Sequence, residues 1–115
     1  MTQSKWVQIG SVRRFDRVEA DKAQALKPLE EAAEVFAAWQ EWDRYHSAHA
    51  VFDRPKAECA KAMKACILAE CADVIQATLN LVAALGVEDF RPYLKACERR
   101  NRERGRITDG EGGDE

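Results

Sequence analysis

The chain has 115 residues, of which 46% are hydrophobic and 33% are charged, and its formal net charge is −2. This length suits one domain with a core of its own, and the near-neutral charge excludes a general attraction to nucleic acid or anionic membranes. Ala, Glu, Lys, Arg and Leu dominate the composition, as is typical of helical proteins, so we predict an all-α fold.

The cysteines and the hydropathy pattern bear on the cellular compartment. The chain has four cysteines without a C-x-x-C pair, and we expect no signal sequence and buried free thiols: Cys59, Cys66, Cys71 and Cys97. We therefore predict a cytoplasmic location, since a disulfide framework would need an oxidising compartment. Polar residues interrupt every run of about eighteen apolar residues, so we expect no membrane span and no membrane partner.

The first half of the chain contains two predicted helices. A short amphipathic helix is predicted over residues 2–15, although an internal glycine weakens the pattern. A stronger pattern predicts a helix from Asp21, as its cap, to about Tyr45. Pro28 falls inside it, so either the regular helix begins near Lys27 or the segment is kinked there.

The second half begins with a predicted connection over residues 46–55, whose mixed polarity ends in a proline. A loop of that length is often functional, but its role is left open. Residues 56–85 then form one long helix or two helices joined near Cys66, and Gly86 is the expected stop.

A last helix is predicted from near Asp89 to about Arg104, with Pro92 in its first turn. We interpret residues 1–106 as a single all-α domain. The remaining residues, 107–115, are acidic and glycine-rich, and we expect them to be disordered.

The long hydrophobic helix carries polar residues that need an explanation. Apolar side chains cover more than half of its circumference, and Glu70, Asp73 and Asn80 share the remaining stripe. An ionised carboxylate is costly to bury unless it is paired or bound to a metal. Two carboxylates in such a helix therefore favour a bound cation.

An acidic ridge lies on the earlier helix, where Glu30, Glu31 and Glu34 are three and four residues apart. Alone, this pattern is typical of a solvated helix face. Together with Glu70 and Asp73 it predicts a four-carboxylate site formed by Glu31, Glu34, Glu70 and Asp73. Oxygen ligands suit Mg²⁺, with Mn²⁺ as the alternative, better than zinc, and such ions act on phosphates.

Three segments resemble the MazG-like nucleoside triphosphate pyrophosphohydrolases: LEEAAEVFAAW, ECADVIQATLN and LKACERRNRERGR. Together they span Leu29 to about Arg106. The gap between Glu34 and Glu70 is longer than in short members of that family. The resemblance implies a four-helix-type bundle completed by oligomerisation, as a homodimer or homotetramer, and hydrolysis of a nucleoside triphosphate to the monophosphate and pyrophosphate.

The resemblance also implies roles for the residues. Glu31, Glu34, Glu70 and Asp73 would hold Mg²⁺. Glu30 and Glu31 would be the catalytic residues, with Glu30 either a further ligand or the group that orients the attacking water. Asn80 would approach the metal and the phosphates.

Basic residues of the last helix are candidates for binding the triphosphate. Lys95, Arg99 and Arg102 fall on one helical face, and guanidinium groups suit phosphate oxygens. The alternative for each is a solvated basic face or a weak nucleic-acid patch. Trp42 lies close to the Glu31 line and is a candidate for nucleobase contact, although a tryptophan at helical spacing is more often part of a core.

Two other functions compete with the enzyme. One is a non-catalytic helical interaction or nucleic-acid-binding module that uses the basic last helix. The other is a carboxylate-bridged iron or manganese protein, for which Asp43 and His46 supply at most one imperfect copy of the ligand motif. We expect His46 and His49 to be solvent-exposed and nucleic acid not to be the partner. The base preference and the biological role are left open.

Overall fold

The computed structural model describes residues 4–52 and 57–108, with side chains up to residue 47 and again from residue 59. This part of the chain forms three helices and no strand: α1 (Lys22–Phe52), α2 (Ala57–Ala84) and α3 (Arg91–Glu103). The prediction of an all-α fold is confirmed. By its internal contacts the chain divides into two compact units, Arg14–Gly86 and Met1–Arg13 with Val87–Glu115.

Helix α1 begins directly after its predicted cap, Asp21, and ends later than the sequence pattern predicts. Asp21 caps it, because its Oδ1 accepts a hydrogen bond of 2.8 Å from the backbone N–H of Gln24. The helix starts at Lys22 and includes Pro28, so the alternative in which the regular helix begins only near Lys27 is wrong.

The predicted connection over residues 46–55 is also wrong for its first seven residues, because α1 continues to Phe52. This stretch contains two alanines and neither glycine nor proline, so nothing in it breaks a helix. Proline comes only at position 55, within residues 53–56, which lie outside the described part of the chain.

The predicted N-terminal helix is absent from its described residues, 4–15, none of which is helical. Gly10 has a φ of 77°, in the left-handed region, which a right-handed helix excludes. The amphipathic spacing of this segment is therefore not enough to make it helical.

Helix α2 is a single helix, which decides between the two alternatives left open by the sequence. It ends at Ala84, two residues before the predicted stop Gly86, whose φ is 84° and whose N–H donates to the carbonyl of Ala83 at 2.9 Å. Helix α3 lies within its predicted bounds. Gly105, with a φ of 76°, follows its end.

Helices α1 and α2 pack against each other along a seam of half-buried or buried residues that recur every three and four positions. On α1 the seam consists of Gln24, Pro28, Glu31, Val35, Ala38, Trp42 and Tyr45. On α2 it consists of Ala60, Met63, Ile67, Glu70, Val74, Ala77, Leu81 and Ala84. The helices are antiparallel, since Glu31 meets Glu70 while the earlier Phe15 meets the later Asn80.

The core of this hairpin is small. Among the described residues only Ala77 and Asn80 are buried. The sequence predicts that α2 is surrounded by other helices, but in the described part of this chain most of α2 remains partly exposed. The expectation of buried thiols is wrong for Cys59 and Cys66, which are exposed, while Cys71 and Cys97 are half-buried.

Helix α2 also bears on the expectation that no segment spans a membrane. From Cys59 to Ala84 it is long and apolar enough to cross a bilayer, with a mean hydropathy of 1.5. Length and composition are weak evidence here, because the core helix of a soluble protein has the same properties.

Candidate metal centre

Three predicted metal ligands come together on the α1–α2 hairpin. Each of Glu31, Glu70 and Asp73 offers one carboxylate oxygen, and these three oxygens lie within 4.8 Å of one another. Glu31 and Glu70 meet because both occupy seam positions of antiparallel helices. Asp73 joins them because it lies three residues after Glu70 on α2. We call these three residues the acidic cluster.

The carboxylates around Glu70 disfavour its ionised form. The pKa of Glu70 is raised above its ordinary value, first by partial removal of the carboxyl from water and then by the charges of Asp73, Glu34 and Glu31. The other three predicted ligands therefore all contribute repulsion at Glu70. A divalent cation would relieve this repulsion, and carboxylate oxygens are the donors that Mg²⁺ takes in proteins, so the residues present fit the ion.

The fourth predicted ligand, Glu34, stands slightly apart. It is exposed on α1, one turn beyond Glu31, and it is not among the three residues whose oxygens converge. Its charge nevertheless contributes to the raised pKa of Glu70. Glu34 is thus placed at the edge of the acidic cluster.

A lysine that the sequence analysis did not select lies beside the cluster. Lys27 Nζ is 3.4 Å from a carboxylate oxygen of Glu30 and 3.7 Å from one of Glu31. Lys27 precedes Glu30 and Glu31 by three and four residues on one helix, so the sequence alone could have predicted this contact. Glu30 is well exposed and points to Lys27 rather than joining the acidic cluster.

Asn80 occupies a different environment from the acids on its stripe. Its side chain is only 2% exposed, and its Oδ1 accepts hydrogen bonds of 3.0 Å from the backbone N–H of Phe15 and from Gln76 Nε2. Seven residues along a helix is about 10 Å, so Asn80 lies two turns from Asp73. The structure therefore gives Asn80 a role in holding the segment that leads into α1.

Trp42 lies in the seam rather than on an open surface. Its ring is half-buried, with its centroid 4.3 Å from that of His46, and His46 Nδ1 is 2.9 Å from the Trp42 carbonyl oxygen. His46 is half-buried too, so the expectation that it is solvent-exposed is wrong. The side chain of His49 lies outside the described residues.

The predicted phosphate-binding residues lie on α3, which belongs to the other unit. Lys95 and Arg99 are exposed, and Arg102 is half-buried and paired with Glu98 on the same helix. Spacings of four and three residues place all three on one face of α3.

Ahead of α3, Asp89 forms an ion pair with Arg91 in which Nε and an Nη atom each donate to one carboxylate oxygen, both at 2.9 Å. Asp89 also accepts a hydrogen bond of 3.1 Å from the backbone N–H of Arg91. These hydrogen bonds lower the pKa of Asp89 to about 2.

Comparison with known proteins adds no relative. No protein-family model matches the chain, and neither curated proteins nor solved structures gave a match. The likeness to MazG-like enzymes therefore rests on the sequence motifs alone.

Proposed function

We propose that this chain is a Mg²⁺-dependent nucleoside triphosphate pyrophosphohydrolase that converts a nucleoside or deoxynucleoside triphosphate to the monophosphate and pyrophosphate. The observation that carries the proposal is the convergence of Glu31, Glu70 and Asp73, from two helices, within 4.8 Å. Two of the three residues, Glu31 and Glu70, are half-buried, and the charges of Glu31 and Asp73 both contribute to the raised pKa of Glu70.

In this proposal Glu31, Glu34, Glu70 and Asp73 hold Mg²⁺, or alternatively Mn²⁺. When bound, the ion supplies charge for the phosphate oxygens and lowers the pKa of a coordinated water. The acidic cluster fixes the position of this chemistry because two of its members belong to the packed seam.

We assign to Glu30 and Glu31 the orientation of the attacking water and the acceptance of its proton. Glu31 is half-buried in the seam, and Lys27 contacts both carboxylates, so their positions are tied together. Glu30 is exposed, so water reaches its carboxylate although Lys27 pairs with it. The bond that breaks joins the α and β phosphates, and pyrophosphate leaves.

Charge on the substrate requires further cations, and we assign these to Lys95, Arg99 and Arg102. A triphosphate carries more negative charge than one divalent ion neutralises. Trp42 is assigned to the nucleobase, whereas Asn80, which is buried and bonded to Phe15 and Gln76, holds the segment before α1 rather than contacting the phosphates. We also propose that the α1–α2 hairpin is half of a four-helix bundle completed in a homodimer or homotetramer, and that the protein is cytoplasmic.

The direct test is a reaction of the full chain with a panel of canonical and modified nucleoside triphosphates in the presence of Mg²⁺. Phosphorus NMR identifies the products, since pyrophosphate with a monophosphate is expected rather than orthophosphate with a diphosphate. Glu70→Gln and Asp73→Asn should each lower kcat/KM at least about 100-fold, as removal of a group that acts on the reacting charge does.

Glu41→Gln is the matched control, because Glu41 is an exposed carboxylate of α1 that pairs with Arg44. It should retain full activity. Absence of turnover across the panel by the wild-type chain would contradict the proposal. Salt-sensitive binding to DNA or RNA that survives loss of Glu31 would instead support the non-catalytic alternative.

A further inference from the structure

Lys27 is a cation at the edge of the acidic cluster, and the function proposed above uses it only to hold two carboxylates. Its Nζ is 3.4 Å from a carboxylate oxygen of Glu30 and 3.7 Å from one of Glu31. The side chain of Lys27 is 53% exposed, whereas that of Glu31 is 24% exposed. The ammonium group is therefore open to solutes while it contacts a half-buried member of the acidic cluster.

Helical geometry places Lys27 on the side of the hairpin that the acids occupy. At 3.6 residues per turn, Lys27 lies roughly 40° around α1 from Glu31, in the same direction as Glu34, which lies roughly 60° away. On α2, Asp73 lies roughly 60° from Glu70 in the matching direction. Because the helices are antiparallel, these directions lead to the same side of the hairpin.

Lys27 also lies level with Asp73 along the hairpin. Glu31 meets Glu70, and in antiparallel helices the turn before the first residue lies beside the turn after the second. Lys27 is four residues before Glu31, and Asp73 is three residues after Glu70. Lys27 therefore borders the acidic cluster at the end where Asp73 lies.

The ion pairs of Lys27 are of a kind that separates easily. Exposed ion pairs at spacings of three and four residues contribute little to stability, so little is lost when they part. A divalent cation bound by Glu31 would repel the ammonium group of Lys27, because both are positive and both interact with the same carboxylate. The flexible lysine stem allows the ammonium group to turn to another anion nearby.

We propose that Lys27 changes partners on substrate binding: it leaves Glu30 and Glu31 when the acidic cluster holds a divalent cation, and its ammonium group then binds a phosphate oxygen of the nucleoside triphosphate. The inference rests on the proposed function and adds to it a phosphate-binding residue in the compact unit Arg14–Gly86, which contains the acidic cluster. The phosphate-binding residues assigned above lie on α3, in the other unit.

Two binding measurements on Lys27→Met test the inference, because they should move in opposite directions. The affinity for Mn²⁺ alone, measured by electron paramagnetic resonance, should rise at least about threefold, since a repelling charge beside the ion is removed. The affinity for inorganic triphosphate at saturating Mn²⁺, measured by calorimetry, should fall about tenfold, since a phosphate loses its cation. Lys27→Arg keeps the charge, so both affinities should stay within about twofold of the wild type.

Lys64→Met is the matched control, because Lys64 is an exposed lysine of the same hairpin. It lies six residues before Glu70 on α2, roughly 120° around the helix and away from the side of Asp73. Six residues is about 9 Å along the axis, which exceeds the distance of about 8 Å over which physiological salt screens exposed charges. Both affinities of this variant should match those of the wild type.

The outcomes separate this inference from the proposed function. If the wild type binds Mn²⁺, an unchanged affinity for Mn²⁺ or for triphosphate in Lys27→Met would overturn the inference and leave the metal centre standing. Parallel weakening of both affinities would also overturn it, because Lys27 would then only position Glu31. A wild-type chain that does not bind Mn²⁺ would contradict the proposed function and the inference with it. Tighter Mn²⁺ binding requires a folded variant, so the expected result cannot arise from loss of structure.

Discussion

The backbone N–H of Phe15 donates a hydrogen bond of 3.0 Å to the side-chain Oδ1 of Asn80, which lies 65 residues later in the chain. Asn80 is almost fully buried near the end of α2, while Phe15 precedes the start of α1. This contact fixes the segment entering α1 to the helix that carries Glu70 and Asp73. The packing of the hairpin and the geometry of the acidic cluster are thereby connected.

Asn80→Ala should destabilise the fold by about 1–3 kcal/mol, because the N–H of Phe15 loses its acceptor in a partly buried position. Gln76→Ala, which removes the second donor to the same oxygen, is the control and should cost about 0.5–1.5 kcal/mol. Urea unfolding followed by circular dichroism measures both. Equal stability of Asn80→Ala and the wild type would show that the hydrogen bond does not anchor the segment.

Glu70→Gln should raise the melting temperature at neutral pH in the presence of a chelator. The folded-state pKa of Glu70 lies above the ordinary 4.5, so its contribution to stability is present at low pH and is lost as the pH rises through the folded-state value. At neutral pH the ionised carboxyl is therefore unfavourable in the fold, and the amide removes that repulsion.

Thermal melts of Glu70→Gln and wild type at neutral pH, and again below pH 4.5, check this prediction. The difference should shrink at the lower pH, where the carboxyl is protonated in both states. Addition of Mg²⁺ should stabilise the wild type and leave the variant nearly unchanged. A variant less stable than the wild type in chelator would contradict the repulsion inferred for the acidic cluster.

Asp89 should titrate with a pKa of about 2. Its folded-state pKa is lowered from 3.8, so the stabilisation that it gives is present above 3.8 and is lost as the pH falls towards 2. A carbon-detected NMR titration of the carboxyl measures this value. Arg91→Ala should return it towards 3.8, whereas Arg99→Ala should leave it unchanged. Titration of the wild-type group near 3.8 would show that the ion pair is absent in solution.

Arg99→Ala and Lys95→Ala should each raise KM for a nucleoside triphosphate about tenfold, with a smaller effect on kcat, because they remove a cation that contacts phosphate rather than the reacting group. Arg104→Ala, a change of the same charge just beyond the end of α3, is the control. Steady-state kinetics over a range of triphosphate concentrations separates KM from kcat. An unchanged KM in both variants would remove these residues from the substrate site.

The sequence predicts the acidic cluster well because its information is local. Glu31 and Glu70 each lie in a regular three-and-four pattern, and Asp73 follows at helical spacing, so two antiparallel helices bring them together. The hydrogen bond from Phe15 to Asn80 has no such local signal, because the residues are far apart and the donor is a backbone group. Asn80 lies on the same side of α2 as Glu70 and Asp73, so its helical spacing groups it with the acids. Its burial depends on the segment around Phe15, which is not helical and whose position the helical spacing of α2 does not predict.

The helix boundaries also separate into those that local residues predict and those that they do not. Asp21 and Gly86 are local signals, and they mark the ends of α1 and α2 as predicted. Mixed polarity in residues 46–52 suggests a loop, yet the helix continues because those residues contain no helix breaker. Exposure is not a local property either: Leu29 and Val35 both fit an amphipathic pattern, but only Val35 lies in the seam.

The most direct test of the central claim is a Mn²⁺ titration of the full chain, with free Mn²⁺ measured by electron paramagnetic resonance. The wild type should bind Mn²⁺ saturably, with affinity weakened at least about tenfold in Glu70→Gln and unchanged in Glu41→Gln. Mg²⁺ should compete for the same site. Identical Mn²⁺ binding by the wild type and Glu70→Gln would contradict the assignment of Glu31, Glu70 and Asp73 as a metal centre.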